Sequence, residues 1–137
     1  MADIHHQEGG CLCGEVRYRV TAPPIARSIC HCRSCRLASG APSVAWAVFS
    51  PGDFRYLCGH AVLFNSSPTV TRAFCGRCGT PLTYQSSQRP EAIDVTTATF
   101  DTPDVFPPAK EIWTEHRISW ERVNDAIPQF PRSSFDT

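Results

Sequence analysis

Seven of the eight cysteines fall in three tight groups: Cys11-Leu-Cys13, Cys30-His-Cys32-Arg-Ser-Cys35 and Cys75-Gly-Arg-Cys78. Thiolates two or three residues apart can converge on one soft metal ion. A closed structural zinc site takes four protein ligands, whereas a catalytic site takes three and keeps a position open. Seven grouped thiols divide as four plus three, so the sequence predicts one closed and one open zinc site. Disulfides fit less well, because thiols as close as Cys11 and Cys13 are poorly set to bridge each other. A redox pair at Cys75 and Cys78 would leave the other groups unexplained.

At 137 residues the chain predicts one domain. Residues 1–8 read as a loose lead-in, 9–130 as the zinc-binding body and 131–137 as a tail. His5 and His6, in the lead-in, are expected to face solvent. The lead-in has neither the basic start nor the apolar core of a secretory signal. Free clustered thiols persist where disulfides do not, so a reducing cytoplasm is the expected location. No apolar run approaches the ~20 residues of a membrane helix, so no membrane partner is expected. The formal net charge is zero with cysteine taken as neutral. Four thiolates on one Zn²⁺ leave −2 and three leave −1, so the loaded chain would carry about −3, a balance opposed to nucleic-acid binding.

Residues 15–20 alternate apolar and polar, the period of a half-buried strand. Further strands are expected at 43–49, 54–57, 61–65, 69–74, 81–85 and 93–97, with a turn at 50–53. One short helical turn is expected at 34–39, closed by Gly40. Residues 101–110, with Pro103, Pro107 and Pro108, read as a surface loop. Ile112-Trp113 and the segment 118–120 are expected to pack back onto the sheet. Trp46, Trp113 and Trp120 read as core or pocket wall, and the isolated Cys58 as a small buried hydrophobe. The class is mainly β, a single domain of mostly antiparallel strands.

Cys75-Gly-Arg-Cys78-Gly has the spacing of a zinc knuckle, its small residues letting backbone N–H groups face the thiolates. Cys11 and Cys13 are the favoured second pair, although spacing leaves other pairings open. Cys30, Cys32 and Cys35 lie on one loop and suit the open site. Metal coordination deprotonates a thiol, and a thiolate is the nucleophile, so a thiol attacking an electrophilic carbon is the chemistry expected there. His31 is expected to point away from that metal, with proton transfer as the alternative. Of the thirteen basic residues all but Lys110 are arginine, whose fork matches a carboxylate. Arg27, Arg33 and Arg36 flank the trio and are candidates to hold an anionic substrate.

The motifs Gly10-Cys-Leu-Cys-Gly-Glu-Val-Arg-Tyr18, Cys30-His-Cys-Arg-Ser-Cys-Arg36 with Gly40-Ala-Pro42, and Arg72-Ala-Phe-Cys-Gly-Arg-Cys-Gly-Thr80 resemble the glutathione-dependent formaldehyde-activating enzyme family, which also includes a centromere protein. Ile112-Trp113, Trp120 and Ile127-Pro-Gln-Phe130 resemble its C-terminal pattern, and Glu111 departs from the histidine many members carry before Ile-Trp. The resemblance implies a β-tent of twisted antiparallel sheets with a zinc knuckle. It implies that Cys11, Cys13, Cys75 and Cys78 hold a structural zinc and Cys30, Cys32 and Cys35 a catalytic one. The implied activity is a carbon–sulfur lyase type, condensing glutathione or a similar thiol with formaldehyde or another small electrophile. The alternative is a non-catalytic, zinc-stabilised module that binds a thiol or a protein.

Overall fold

The computed structural model describes residues 5–134. Residues 1–4 of the expected lead-in and 135–137 of the expected tail lie outside them. A three-stranded antiparallel sheet has the order β1 (Gln7–Gly10), β2 (Arg17–Val20), β5 (Phe54–Cys58). A seven-stranded sheet contains β3 (Ala26–Cys30), β4 (Val44–Phe49), β6 (Ala61–Asn65), β7 (Val70–Cys75), β8 (Pro81–Ser86), β9 (Ile93–Thr96) and β10 (Lys110–Ile112). Its order is β10-β3-β4-β9-β8-β7-β6, and every pair in it is antiparallel except β10 with β3. One short helix, α1 (Arg33–Ser39), follows β3. The two sheets form the β-tent that the sequence resemblance implies.

The core lies where the inward faces of both sheets meet. Tyr18 and Val20 of β2, Ala47 and Phe49 of β4, Leu82 of β8 and Val95 of β9 are fully buried and form one cluster. Phe100 and Phe106 close it, with ring centroids 4.9 Å apart and edge-to-face. Phe100 also meets Tyr18 edge-to-face at 5.2 Å. Alternation along β2 is what aims Tyr18 and Val20 inward while Arg17 and Arg19 reach Asp101 and Glu8 on the rim. The helix ends as expected at Gly40, whose φ of 70° is cheap only for glycine.

Four expectations are corrected. The lead-in is shorter than eight residues, because Gln7–Gly10 pair with β2; two glycines hide that strand from any periodicity. The segment 101–110 is not only surface: single 3-10 turns at Thr97–Thr99 and Pro103–Val105 hold Phe100 and Phe106 in the core. Trp120 does not pack on the sheet. It is 70% exposed, since Arg117 gathers the carbonyls of Ile118, Ser119 and Glu121 into a tight turn that throws it outward. Cys58 is exposed rather than buried, because it ends β5 on the sheet's outer edge. His5 and His6 are exposed, and Ile112 does return to the sheet as the last residue of β10.

Gly9 sits where the two sheets touch, bridging Phe100. A Cβ there would come within 2.5 Å of the Thr99 carbonyl oxygen and nearer still to the Tyr18 hydroxyl. Gly9→Ala is therefore expected to destabilise the fold by about 1–3 kcal/mol, the cost of forcing a methyl into a packed core. Thermal unfolding checks it; an unchanged melting temperature would remove this contact from the account.

Candidate metal centres

Two groups of thiols converge. The sulfurs of Cys11, Cys13, Cys75 and Cys78 all lie within 4.8 Å of one another, and so do those of Cys30, Cys32 and Cys35. These are the two groups expected from spacing, and Cys11 and Cys13 lie together with the knuckle.

The first centre joins the two sheets. Cys75 ends β7 of the large sheet, while Cys11 follows β1 of the small one. The knuckle turns tightly: Gly79 N–H donates to the Cys75 carbonyl at 2.8 Å, and Cys75 N–H to the Thr80 carbonyl at 3.0 Å. That turn aims the N–H groups of Arg77 and Cys78 at Cys75 Sγ, each at 3.4 Å. On the other side Val16 N–H points to Cys11 Sγ at 3.3 Å. The Cys11–Cys13 and Cys13–Cys75 sulfur separations are 3.5 and 3.7 Å. A tetrahedron of thiolates about 2.3 Å from a central zinc has edges near 3.8 Å, so the donor set fits such an ion. The Thr80 hydroxyl and then its backbone pull Cys78 down to about 5, toward the ligating thiolate form.

The second centre is built by the turn from β3 into α1. Cys30 is the last residue of β3, Cys32 caps α1, and Cys35 is the buried residue of that helix. Cys35 N–H donates to Cys32 Sγ at 3.4 Å. Hydrogen bonds from Cys30 and then Cys35 hold Cys32 far below the ordinary thiol range, at about 2, with help from Arg72. Sharing with Cys32 pushes Cys30 up. Three converging sulfurs are a donor set suited to a soft cation. The trio forms part of the wall of a cavity of about 650 Å³, with Trp46, Tyr84 and Trp113 beside it and Arg89 and Asp94 on the same wall.

His31 points away from the trio, as expected. Its Nε2 lies 2.5 Å from Glu111 Oε1, and both side chains are buried. Glu111 Oε2 accepts the Asn124 N–H, which ties the C-terminal segment to the ligand loop. The three arginines adjacent in sequence do not line the cavity. Arg27 donates to the Pro107 carbonyl at 2.8 Å, and Arg33 opens onto a neighbouring groove with Leu37 and Phe64. The arginines near the trio are Arg89, bonded to Asp94 at 2.9 Å, and Arg72, whose Nη2 is 3.9 Å from Cys35 Sγ. Both come from β7 and β8–β9 across the sheet, so sequence distance from the trio hides them.

Loss of a thiol from the first centre should be severe. Structural zinc contributes roughly 10–16 kcal/mol in finger peptides, against about 5–15 kcal/mol of net stability in typical domains. Cys75→Ala is expected to yield unfolded or insoluble chain, read by circular dichroism of the soluble fraction. A folded, metal-poor variant would show that packing alone holds the sheets together.

A family model for glutathione-dependent formaldehyde-activating enzymes matches residues 6–116. A Halomonas elongata protein whose name places it in the same family is 28% identical over 125 residues, covering 85% of this chain and 80% of its own. An uncharacterized lyase of Schizosaccharomyces pombe is 28% identical over 89 residues, 64% of each chain. A crystal structure of a Rhodobacter sphaeroides protein, 22% identical, superposes with a TM-score of 0.58 over 89% of this chain and 98% of that one, and shares the fold. The chain belongs to the glutathione-dependent formaldehyde-activating enzyme family.

Proposed function

We propose that this protein is a zinc-dependent enzyme of carbon–sulfur lyase type, acting on glutathione or a similar small thiol and its adduct with formaldehyde or another small electrophile. In this reading Cys11, Cys13, Cys75 and Cys78 hold a structural zinc, and Cys30, Cys32 and Cys35 a catalytic one. The observation that carries it is the placement of the trio on the wall of a cavity of about 650 Å³, large enough for a tripeptide thiol. The first centre, by contrast, has four thiols and is closed.

Zinc in the trio supplies a positive charge that draws an incoming thiol toward its thiolate. The remaining work falls to the chain. The condensation makes one S–C bond: a sulfur lone pair attacks the carbonyl carbon, the C=O π pair moves to oxygen, and that oxygen takes a proton. The thiol has given one up, so the step is redox-neutral. Trp46, Trp113 and Ile112 form an apolar wall beside the sulfurs, against which the non-polar part of a substrate can pack. Burial pushes the Asp94 carboxyl up, against the lowering by Arg89. Asp94 lines the cavity beside Arg89, and in this reading it takes a proton from one substrate atom and returns it to another. Arg89, on the same wall, is placed to meet a substrate carboxylate, the role that sequence adjacency assigns to Arg27, Arg33 and Arg36.

The test is exchange kinetics by NMR of glutathione with formaldehyde, alongside metal content per chain. The metal-loaded protein should speed adduct formation above the uncatalysed rate and contain two zincs. Cys32→Ser should contain one and lose the acceleration. Two zincs with only the uncatalysed rate would favour the thiol-binding or interaction module instead.

A further inference from the structure

Arg72 is buried, with 9% of its surface exposed. It stands on β7 opposite Tyr84 of β8, and its guanidinium lies over the Tyr84 ring, 5.0 Å from the centroid. Its Nη2 faces Cys35 Sγ, and its Nε is buried with no hydrogen-bond partner. Among the described residues no carboxylate lies within ion-pair distance of it. Asp94, the carboxylate that feels its charge, is held by Arg89 instead. A buried guanidinium stays charged and is costly unless something compensates it. The groups that face it here are sulfurs: Cys35 Sγ, which it touches, and the two sulfurs grouped with it in the trio.

Charge counting gives that contact a purpose. Three thiolates on a divalent cation leave −1, and Arg72 brings the buried assembly to zero. A neutral water in the fourth position keeps it there. A fourth thiolate would make the metal group −2 without Arg72 nearby, but only −1 for the assembly with it. We propose that Arg72 is the built-in counter-cation of the Cys30, Cys32 and Cys35 centre, and that it lets the open position accept an anionic sulfur ligand. The proposal rests on the trio being the catalytic metal centre. It makes Arg72 a positioning residue acting through the sulfurs, and Tyr84 the platform over which the guanidinium is held beside them.

The experiment compares the metal-loaded native chain with Arg72→Met and Arg72→Lys. The first readout is retention of the more labile metal against a competing chelator. The second is calorimetric binding of glutathione and of S-methylglutathione, which cannot present a thiolate. Arg72→Met should hold the labile metal and glutathione roughly 10- to 100-fold less tightly, the range of a hydrogen bond to a charged group. Its binding of S-methylglutathione should match the native chain. Arg72→Lys, which keeps the charge, should recover most of the loss. Equal metal retention and equal glutathione binding in Arg72→Met would overturn the proposal, as would equal losses in the Lys and Met variants, which would mark a packing role. Where Arg72→Met fails to fold, Arg72→Gln, neutral but polar, is judged by the same readouts. A native chain that keeps two metals but ignores glutathione would end the thiol reading, and chelator competition alone would then decide Arg72. A native trio that takes no metal would overturn both.

Discussion

Four sulfur atoms drawn within 4.8 Å of one another from two different sheets are the constraint on which the rest of the fold hangs. Bringing them together closes the tent at one end, since Cys11 leaves the small sheet and Cys75 the large one. The closure of a loop this long is entropically expensive, and a metal clip offsets that cost most where the loop is long. The aromatic cluster of Tyr18, Phe49, Phe100 and Phe106 holds the sheets together by packing. The thiol centre joins them at one edge of that cluster, with Cys11 and Cys75 in the core and Cys13 exposed.

The second centre uses the same chemistry differently. Its three sulfurs come from one turn, so it joins no distant elements and need not carry stability. Its surroundings are instead those of a binding site: apolar rings beside the sulfurs, and a polar wall with Arg89 and Asp94. Loop ligands are held in place from behind. His31 and Glu111 pair in the buried interior, and β10 runs parallel to β3 so that Ile112 faces Cys30 in register. The C-terminal segment, which contributes little to the core, thus acts as a strap on the ligand loop.

Electrostatics links the two halves of the large sheet. Arg72, Tyr84 and Asp94 stand on neighbouring strands β7, β8 and β9, and their rows end against α1 and its Cys35. A buried cation with no carboxylate partner among the described residues is unusual enough to need a cause, and a group of three thiols a few ångströms away offers one. The arrangement puts the positive charge behind the sulfurs, leaving the cavity side clear.

How much was legible in the sequence follows from physical range. Thiol spacing determined the trio and the two close pairs, because ligands two or three residues apart are near each other in any compact fold, whereas the meeting of Cys11 and Cys13 with the distant knuckle was a tertiary choice. Alternation determined β2, whose successive residues differ in burial; short apolar runs between turn signals marked β4, β6 and β7, and the Gly40 cap fixed the end of α1. The strands Gln7–Gly10 and Ala26–Cys30 carry no such period and were set by their partners across the sheet. The choice of arginines was likewise tertiary: Arg27, Arg33 and Arg36 are near the trio along the chain, whereas strand pairing brings Arg72 onto Cys35 and the β8–β9 turn brings Arg89 to the cavity. Local chemistry is written in spacing, but which charge meets which sulfur depends on sheet order, and sheet order is decided only when long-range burial outweighs the entropy of closing the chain.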